Sequence, residues 1–541
     1  MSNEIKAPIS SVFDLVSGIQ RVVMYLTLFL IPWFVVPLPY DSTEKIKGIL
    51  FIFLSTILLL LEVVKWIWDG KITILKSPLD KIFLLLFGSF LLSFAFAQDT
   101  WISLWGYDGR IGGGFLVMTF LFLFFFLLRG VLQQSKEVVR AIEALLLGLG
   151  VLILLSMFSI FKVNVFGWIP YIKDFFIVGL PLTFSFQEIM LITGISSLLS
   201  VFLIIYYAIN KKYQLTILPI LILVISLVSM PLFSINQGAL VPILFFVITL
   251  LLCILLILRL EKSLKAIPIL LFLFSVLAVG FSIGFQFEGF RASVLGDSFE
   301  MINPIRLGSD ISWTVASASI VSTFFRGLVG LGNDSFAIAY HAFRPASDAT
   351  ISLGNTSFVS GSNEIFTTLA NRGFIGVTVW ILLLLTLLRE LLNDITQSST
   401  QKNIMSSILG LVILLIFLSS LFLPFSFLSY FLLFVTVMLL IVYRNREGES
   451  DVFLLKFWAV NVGKATKDIN KTIEGVNWFF TILITLITTV GIIFLATKLL
   501  SVAYVVRAES YNTQQIEKYK EYKEQLSIEE REEYLVSMTR Y

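Results

Sequence analysis

Residues Phe115–Leu128 read FLVMTFLFLFFFLL, an unbroken stretch that holds one hydroxyl and no charge. An amphipathic surface helix would place a polar face every third or fourth residue, and this stretch has none. Carried to the residues on either side, it approaches the roughly 20 apolar residues that a helix needs to cross a bilayer. Similar runs recur along the chain. The protein has 541 residues, 57% hydrophobic and 14% charged, with 52 phenylalanines and a mean hydropathy of +0.93. A soluble domain is about 45–50% apolar and about 25% charged, so the composition excludes a soluble fold, disorder and a disulfide scaffold. The expected fold class is all-α, a polytopic membrane helical bundle. A formal charge of +3 is too small to imply nucleic acid as a partner. The single cysteine, Cys253, permits no disulfide within the chain, and the single histidine, His341, removes most zinc and Ser–His–Asp chemistry. No metal and no cofactor is expected.

Working outward from Phe115–Leu128 with the same ruler, spans are expected near 20–38, 47–68, 80–97, 114–133, 140–163, 187–209, 214–235, 238–258 and 265–285. Others follow near 366–388, 403–423, 426–443 and 478–505. That makes about thirteen. The two narrowest separations fall at Asn236–Gln237 and around Pro424. The first apolar run lacks a small-residue cleavage site and is expected to be kept as a helix. Lysine and arginine concentrate in alternate short loops, twenty against five in the intervening ones. By the positive-inside tendency the N-terminus, residues 1–19, is expected on the cytoplasmic side of the membrane. The layout is then a first bundle of about nine helices over 20–285, a large outward loop over 286–365, and helices ten to twelve over 366–443. An inward linker over 444–477, a last helix over 478–505 and an outward helical tail over 506–541 complete it.

This layout constrains function. The inward linker is too short for a nucleotide-binding domain, and neither GxxxxGK[ST] nor a strand-borne GxGxxG occurs. Chemistry is therefore expected at the outer face, on a substrate delivered through the membrane. The acids Glu62, Glu143 and Glu188 sit near span ends, where snorkelling to the interface accounts for them.

Two outward loops carry the candidate residues. The first, QDTWISLWGYDGRIGGG over 98–114, places Trp105 and Tyr107 at headgroup level beside Asp108 and Arg110, with Gly112–Gly114 free for close approach to a ligand. It reads either as an aromatic belt with a turn or as a glycan platform with a phosphate-binding arginine. In the large loop, Arg291, Arg306, Arg326 and Arg344 are planar cations suited to diphosphate oxygens. Ser309–Phe325 reads as one interfacial helix bearing Trp313. Asn333–Asp334 are expected to cap a helix over Ser335–Phe343, which carries His341. In SGSNEIFTTLANRGFIG over 360–376, Ser362, Asn363 or Glu364 begins a helix that enters the membrane, or approaches the reacting groups.

Taken together, Trp313–Ala316, Gly330–Gly332 with Asn333 and Phe336, and Ser362-Asn363-Glu364 leading to Gly373 and Gly376 resemble the O-antigen ligase and polymerase superfamily. The first loop, LWGYDGRIGGG, is similar to that family's outer loop of an aromatic, Tyr, Glu and Arg. Ser234–Ala239 resembles its Ser-Arg-Gly-Ala helix start, with Gln237 in the arginine position. Ser362 stands where the family has histidine. The tail resembles one unit of a tetratricopeptide-type repeat.

The resemblance implies a C-type glycosyltransferase. Such an enzyme transfers glycan from an undecaprenyl-diphosphate-linked donor to a glycan, lipid or protein hydroxyl on the outer face. It further implies donor binding by Arg306, Arg110, Arg291 and Gln237, and a glycan platform of Trp105, Tyr107, Asp108, Trp313, Arg344 and Asn363. For the base it leaves Glu364, His341 or Ser362. Membrane lipids and, through the tail, envelope-assembly proteins are the expected partners. A lipid-linked glycan transporter or flippase and a catalytically silent glycolipid-binding relative are the other readings.

Overall fold

The computed structural model describes residues 6–35, 43–69, 71–75, 77–107, 110–132, 135–163, 165, 179–183, 185–235, 237–296, 306–345, 357–396, 401–445 and 452–456. Among these it is a helical membrane bundle. The elements are α1 (Lys6–Trp33), α2 (Thr43–Asp69), β1 (Lys71–Leu75), α3 (Asp80–Ala95), α4 (Thr100–Trp105), α5 (Phe115–Val131), α6 (Ser135–Ile160), α7 (Phe186–Ile209), α8 (Ile217–Ser234), α9 (Leu240–Arg259) and α10 (Ala266–Gly284). After them come α11 (Glu288–Leu295), α12 (Ser309–Val321), α13 (Phe324–Val329), α14 (Phe336–Phe343), α15 (Glu364–Thr396), α16 (Gln401–Ser419), α17 (Phe427–Asn445) and β2 (Val452–Lys456).

Nine described helices are long and apolar enough to cross a membrane: α1, α2, α6 to α10, α15 and α17. α5 and α16 are shorter apolar helices, and α3 has 16 residues. Twelve of the spans expected from sequence therefore fall on helices. The thirteenth, 478–505, and the tail over 506–541 lie outside the described residues. Helices prevail because a segment in lipid must satisfy its own backbone donors and acceptors. Both narrow separations divide distinct helices: α8 ends at Ser234 and α9 begins at Leu240, while α16 ends at Ser419 and α17 begins at Phe427.

Burial sorts the helices into a centre and a rim. α7 and α17 are buried along almost their whole length. α10 instead presents Leu270, Phe274, Leu277 and Phe281 outward, as a lipid-facing helix should. Small residues set the closest approaches. A Cβ on Gly148 of α6 would lie 2.3 Å from the carbonyl oxygen of Phe29 in α1. Glu62 and Glu188 do not snorkel. Glu62 is buried and accepts from Trp66 Nε1 at 3.1 Å and from Lys65 Nζ at 3.4 Å, while buried Glu188 accepts from the Ser426 hydroxyl. Neighbouring helices cover both acids, so protein groups replace the water that snorkelling would have reached.

The two ends of the bundle differ. At one end β1 and β2 form an antiparallel ribbon, Lys71 opposite Lys456 and Leu75 opposite Val452. It joins two segments that the lysine and arginine pattern assigns to one side. The other, loop-rich end gathers α4, α11 to α14 and the start of α15. Here Ser309–Phe325 is not one helix. α12 stops at Val321, and Thr323 starts α13 by accepting from the Arg326 backbone N–H at 3.2 Å.

α15 is itself broken, because Gly373 takes φ 61° and divides Glu364–Arg372 from the long span that follows. Such a break strands carbonyls, which must find other donors. Leu331 N–H donates to Ala370 O at 3.0 Å, Gly332 N–H to Asn371 O at 3.1 Å, and the Ser93 hydroxyl to Asn371 O at 2.8 Å. Gly330, at φ 77°, lets the two backbones touch: a Cβ there would sit 2.3 Å from the Asn371 carbonyl.

Candidate functional site

The short helical piece Glu364–Arg372 begins with Asn363, whose Oδ1 accepts from the Phe366 N–H at 2.8 Å. Its Glu364, Thr368 and Arg372 repeat every fourth residue, so they share one face. That face points inward. Glu364 is 1% exposed and Arg372 3%. Glu364 Oε2 accepts from the Phe425 N–H at 2.8 Å and from Arg110 Nη2 at 3.3 Å. Its Oε1 accepts from Thr368 Oγ1 at 3.1 Å, from Arg372 Nη2 at 3.3 Å and from the Tyr430 hydroxyl. The Arg372 guanidinium lies 4.1 Å over the Phe90 ring, a cation–π contact that dehydration strengthens.

Arg110 arrives from the loop between α4 and α5. It donates to the Phe425 carbonyl as well as to Glu364, and its Nε lies 3.9 Å from Asp334 Oδ1. Asp334 accepts from the Gly113 N–H at 3.1 Å, and Asn333 Nδ2 donates to the Phe90 carbonyl at 2.9 Å. Asn333 and Asp334 therefore do not cap α14, whose first residue follows Ser335 without a side-chain cap. Buried partners in other segments outcompete the local capping bond. The glycine run is likewise committed to packing. A Cβ on Gly112 would meet Phe427 N at 2.4 Å, on Gly113 Asp334 Oδ1 at 2.2 Å, and on Gly114 Gly106 N at 2.7 Å.

Charge in this cluster is strongly coupled. Burial alone would lower the Arg110 guanidinium, but the carboxylates of Glu364 and Asp334 outweigh it and hold the group above its ordinary value. Burial pushes the Asp334 carboxyl up to about 6, opposed by Arg110 and reinforced by Glu364. The Arg110 guanidinium stays charged, and the Asp334 carboxyl titrates in mildly acidic conditions.

The remaining sequence candidates are distributed over the loop-rich end. Trp313 is exposed and its ring centroid lies 5.7 Å from that of Phe366, one helical turn past the Asn363 cap. Ser362 N–H donates to Ser312 Oγ at 2.9 Å. His341 is exposed, with Nε2 3.1 Å from Ser357 Oγ. Arg344 ends α14 with its guanidinium 6.0 Å from the Tyr340 ring centroid. Arg306 is exposed, next to buried Leu307, which shares a small core with Tyr340, Phe336 and Val315. Arg326 is engaged by the Phe96 and Gly330 carbonyls at 2.8 and 3.3 Å. Trp105 and Tyr107 are half-buried, Gln237 lies in the turn between α8 and α9, and Arg291 lies on α11. Asp108 lies outside the described residues.

The structure thus joins Arg110 to Glu364 and leaves Gln237 and Arg291 on elements outside that cluster. It adds Arg372, Asp334, Asn371 and Tyr430, none of which the sequence marked as site residues. Arg372 had a readable signal, its four-residue spacing from Thr368 and Glu364. Tyr430 had none. No protein-family model and no curated protein matches this chain.

Proposed function

We propose that the protein is a glycosyltransferase of the O-antigen ligase and polymerase type. It moves glycan from an undecaprenyl-diphosphate-linked donor to a glycan, lipid or protein hydroxyl at the loop-rich end, on the outer face of a bacterial plasma membrane. The observation that carries this reading is the meeting of Arg110 and Glu364. They come from the two loops whose motifs resemble that family, and they converge at one end of the bundle.

The geometry distributes the roles. Glu364 has both oxygens committed to protein donors, so it positions Arg110 and Arg372 and is not the base. Exposed Arg306 offers a permanently charged fork to the departing diphosphate. His341 is exposed and flanks the same small core as Arg306, through Tyr340 and Leu307 respectively. In the step, the acceptor oxygen bonds to the anomeric carbon with inversion as the carbon–oxygen bond to phosphate breaks. The electron pair of that bond leaves on the lipid diphosphate, and the acceptor proton passes to the His341 imidazole. Mass analysis of surface glycans from cells with and without the protein tests the proposal. Loss of one glycan linkage without the protein, and in cells carrying Arg306→Ala at normal membrane level, is expected. Identical glycans in all three would overturn it.

A further inference from the structure

Within the Arg110–Glu364 cluster lies a cavity of about 10 Å³, walled by Phe90, Gly113 and Tyr430 together with the charged and amide side chains. Five polar atoms of its lining residues have no hydrogen-bond partner among the described residues: Arg110 Nη1, Arg372 Nη1, Asn333 Oδ1, Asp334 Oδ1 and Asn371 Oδ1. The residues that bear them are between 1% and 6% exposed. Buried polar atoms are almost always satisfied, by protein or by ordered water.

The chemistry of these five atoms defines what satisfies them. Both guanidinium nitrogens only donate, and the two amide oxygens and the ionised carboxylate oxygen only accept. The occupant must therefore accept and donate at once. A halide leaves all three oxygens unserved, and a metal cation is repelled by two guanidiniums from which it cannot accept. The formal charges of Arg110, Arg372, Glu364 and Asp334 cancel, so the site calls for a neutral occupant. Its volume is on the scale of a single water, which needs about 10–15 Å³ and two to four polar partners.

We propose that this cavity is a fixed-water site. One water molecule accepts N–H bonds from Arg110 and Arg372 and donates to two of the oxygens of Asn333, Asp334 and Asn371. The water links three segments distant in sequence: the α4–α5 loop, the α13–α14 loop and the broken start of α15. It is a structural member of the cluster, and it does not depend on the glycosyl transfer reading.

The test is an experimental structure of the full chain at a resolution that shows ordered solvent, from crystals grown in bromide. The expected result is one compact peak within hydrogen-bond distance of both Nη1 atoms, without anomalous signal at the bromine edge. An anomalous peak would identify an anion and overturn the proposal, as would a cavity without density or density longer than one atom. The Asn371→Leu variant supplies a second arm, since its side chain removes an acceptor and occupies the space. Loss of the peak with an unchanged helical bundle supports the assignment, and a peak that persists in place overturns it.

Discussion

Arg110 and Glu364 stand 254 residues apart in the chain and 3.3 Å apart in the fold, their side chains 5% and 1% exposed. The pair closes the α4–α5 loop onto the broken start of α15. Ionic pairs this deep owe their stability to completeness, because each charge has surrendered its hydration. Glu364 has five donors and Arg110 has two acceptors besides its ion pair with Asp334, so removing either residue orphans several groups at once.

The first prediction follows from that orphaning. Arg110→Ala and Glu364→Ala should each cost about 3–5 kcal/mol. The double variant should cost less than the two together, by about 1–3 kcal/mol. Denaturant unfolding in detergent measures all three. Strictly additive costs would mean that the two residues act independently and that the pair is incidental.

The kink makes a sharper demand. Gly373→Ala forces a Cβ into a left-handed residue 2.5 Å from the Leu328 carbonyl oxygen, and Gly330→Ala places one 2.3 Å from the Asn371 carbonyl. Left-handed strain of about 1–2 kcal/mol adds to overpacking of about 1–3 kcal/mol. Each variant should therefore lose about 2–5 kcal/mol. Gly280→Ala, on lipid-facing α10 with nothing within 4 Å of its Cβ, should be neutral or gain up to about 1 kcal/mol. Equal melting temperatures for the three would show that the break at Gly373 is not required.

Asp334 gives the fold a pH dependence of definite sign. Its carboxyl titrates at about 6 in the folded chain against an ordinary 3.8. The folded state thus holds a proton that the unfolded chain has released across that window. The stabilising contribution is complete below about pH 4 and is lost as pH rises through about 6, after which the curve is flat with respect to this group. Arg110, Arg372 and Glu364 face it and remain in place when it is replaced. Subtracting the stability profile of Asp334→Asn from that of the parent should leave this descending step. A difference curve that is flat, or rises, between pH 4 and 6 contradicts the assignment.

Sequence and structure agree most closely where the physics is local or imposed by lipid. Span lengths were readable because the bilayer fixes the apolar length and forbids unsatisfied backbone. The start of α15 at Asn363–Glu364 was readable as a cap followed by an acid in the first turn. The cluster was only half readable. Glu364, Thr368 and Arg372 announce a common face by spacing, yet nothing in the spacing names Arg110 as its partner, because parity fixes the end of the bundle and not the neighbour. Asn333 and Asp334 were misread for a related reason. Their preference for a helix cap is worth about 1 kcal/mol, which a buried N–H and a buried carbonyl from other segments exceed. Gly112–Gly114 looked like space for a ligand and proved to be space for Phe427, Asp334 and Gly106.

The placement of the loop-rich end decides whether lipid-linked glycan is available to it, and single-cysteine labelling settles that placement. The native Cys253 is buried, so a Cys253→Ser background keeps the bundle while removing the one competing thiol. Thr314, on α12 at the loop-rich end, and Lys212, at the opposite end between α7 and α8, are both exposed. A membrane-impermeant maleimide should label Thr314→Cys in intact spheroplasts and Lys212→Cys only after lysis. The reverse pattern would leave the bundle standing and remove the outward-facing site, since prenyl-linked donors would then be presented on the wrong side. Labelling of both positions in intact spheroplasts would instead contradict the alternation of the helices themselves, because α7 ends and α8 begins at the end opposite to α12.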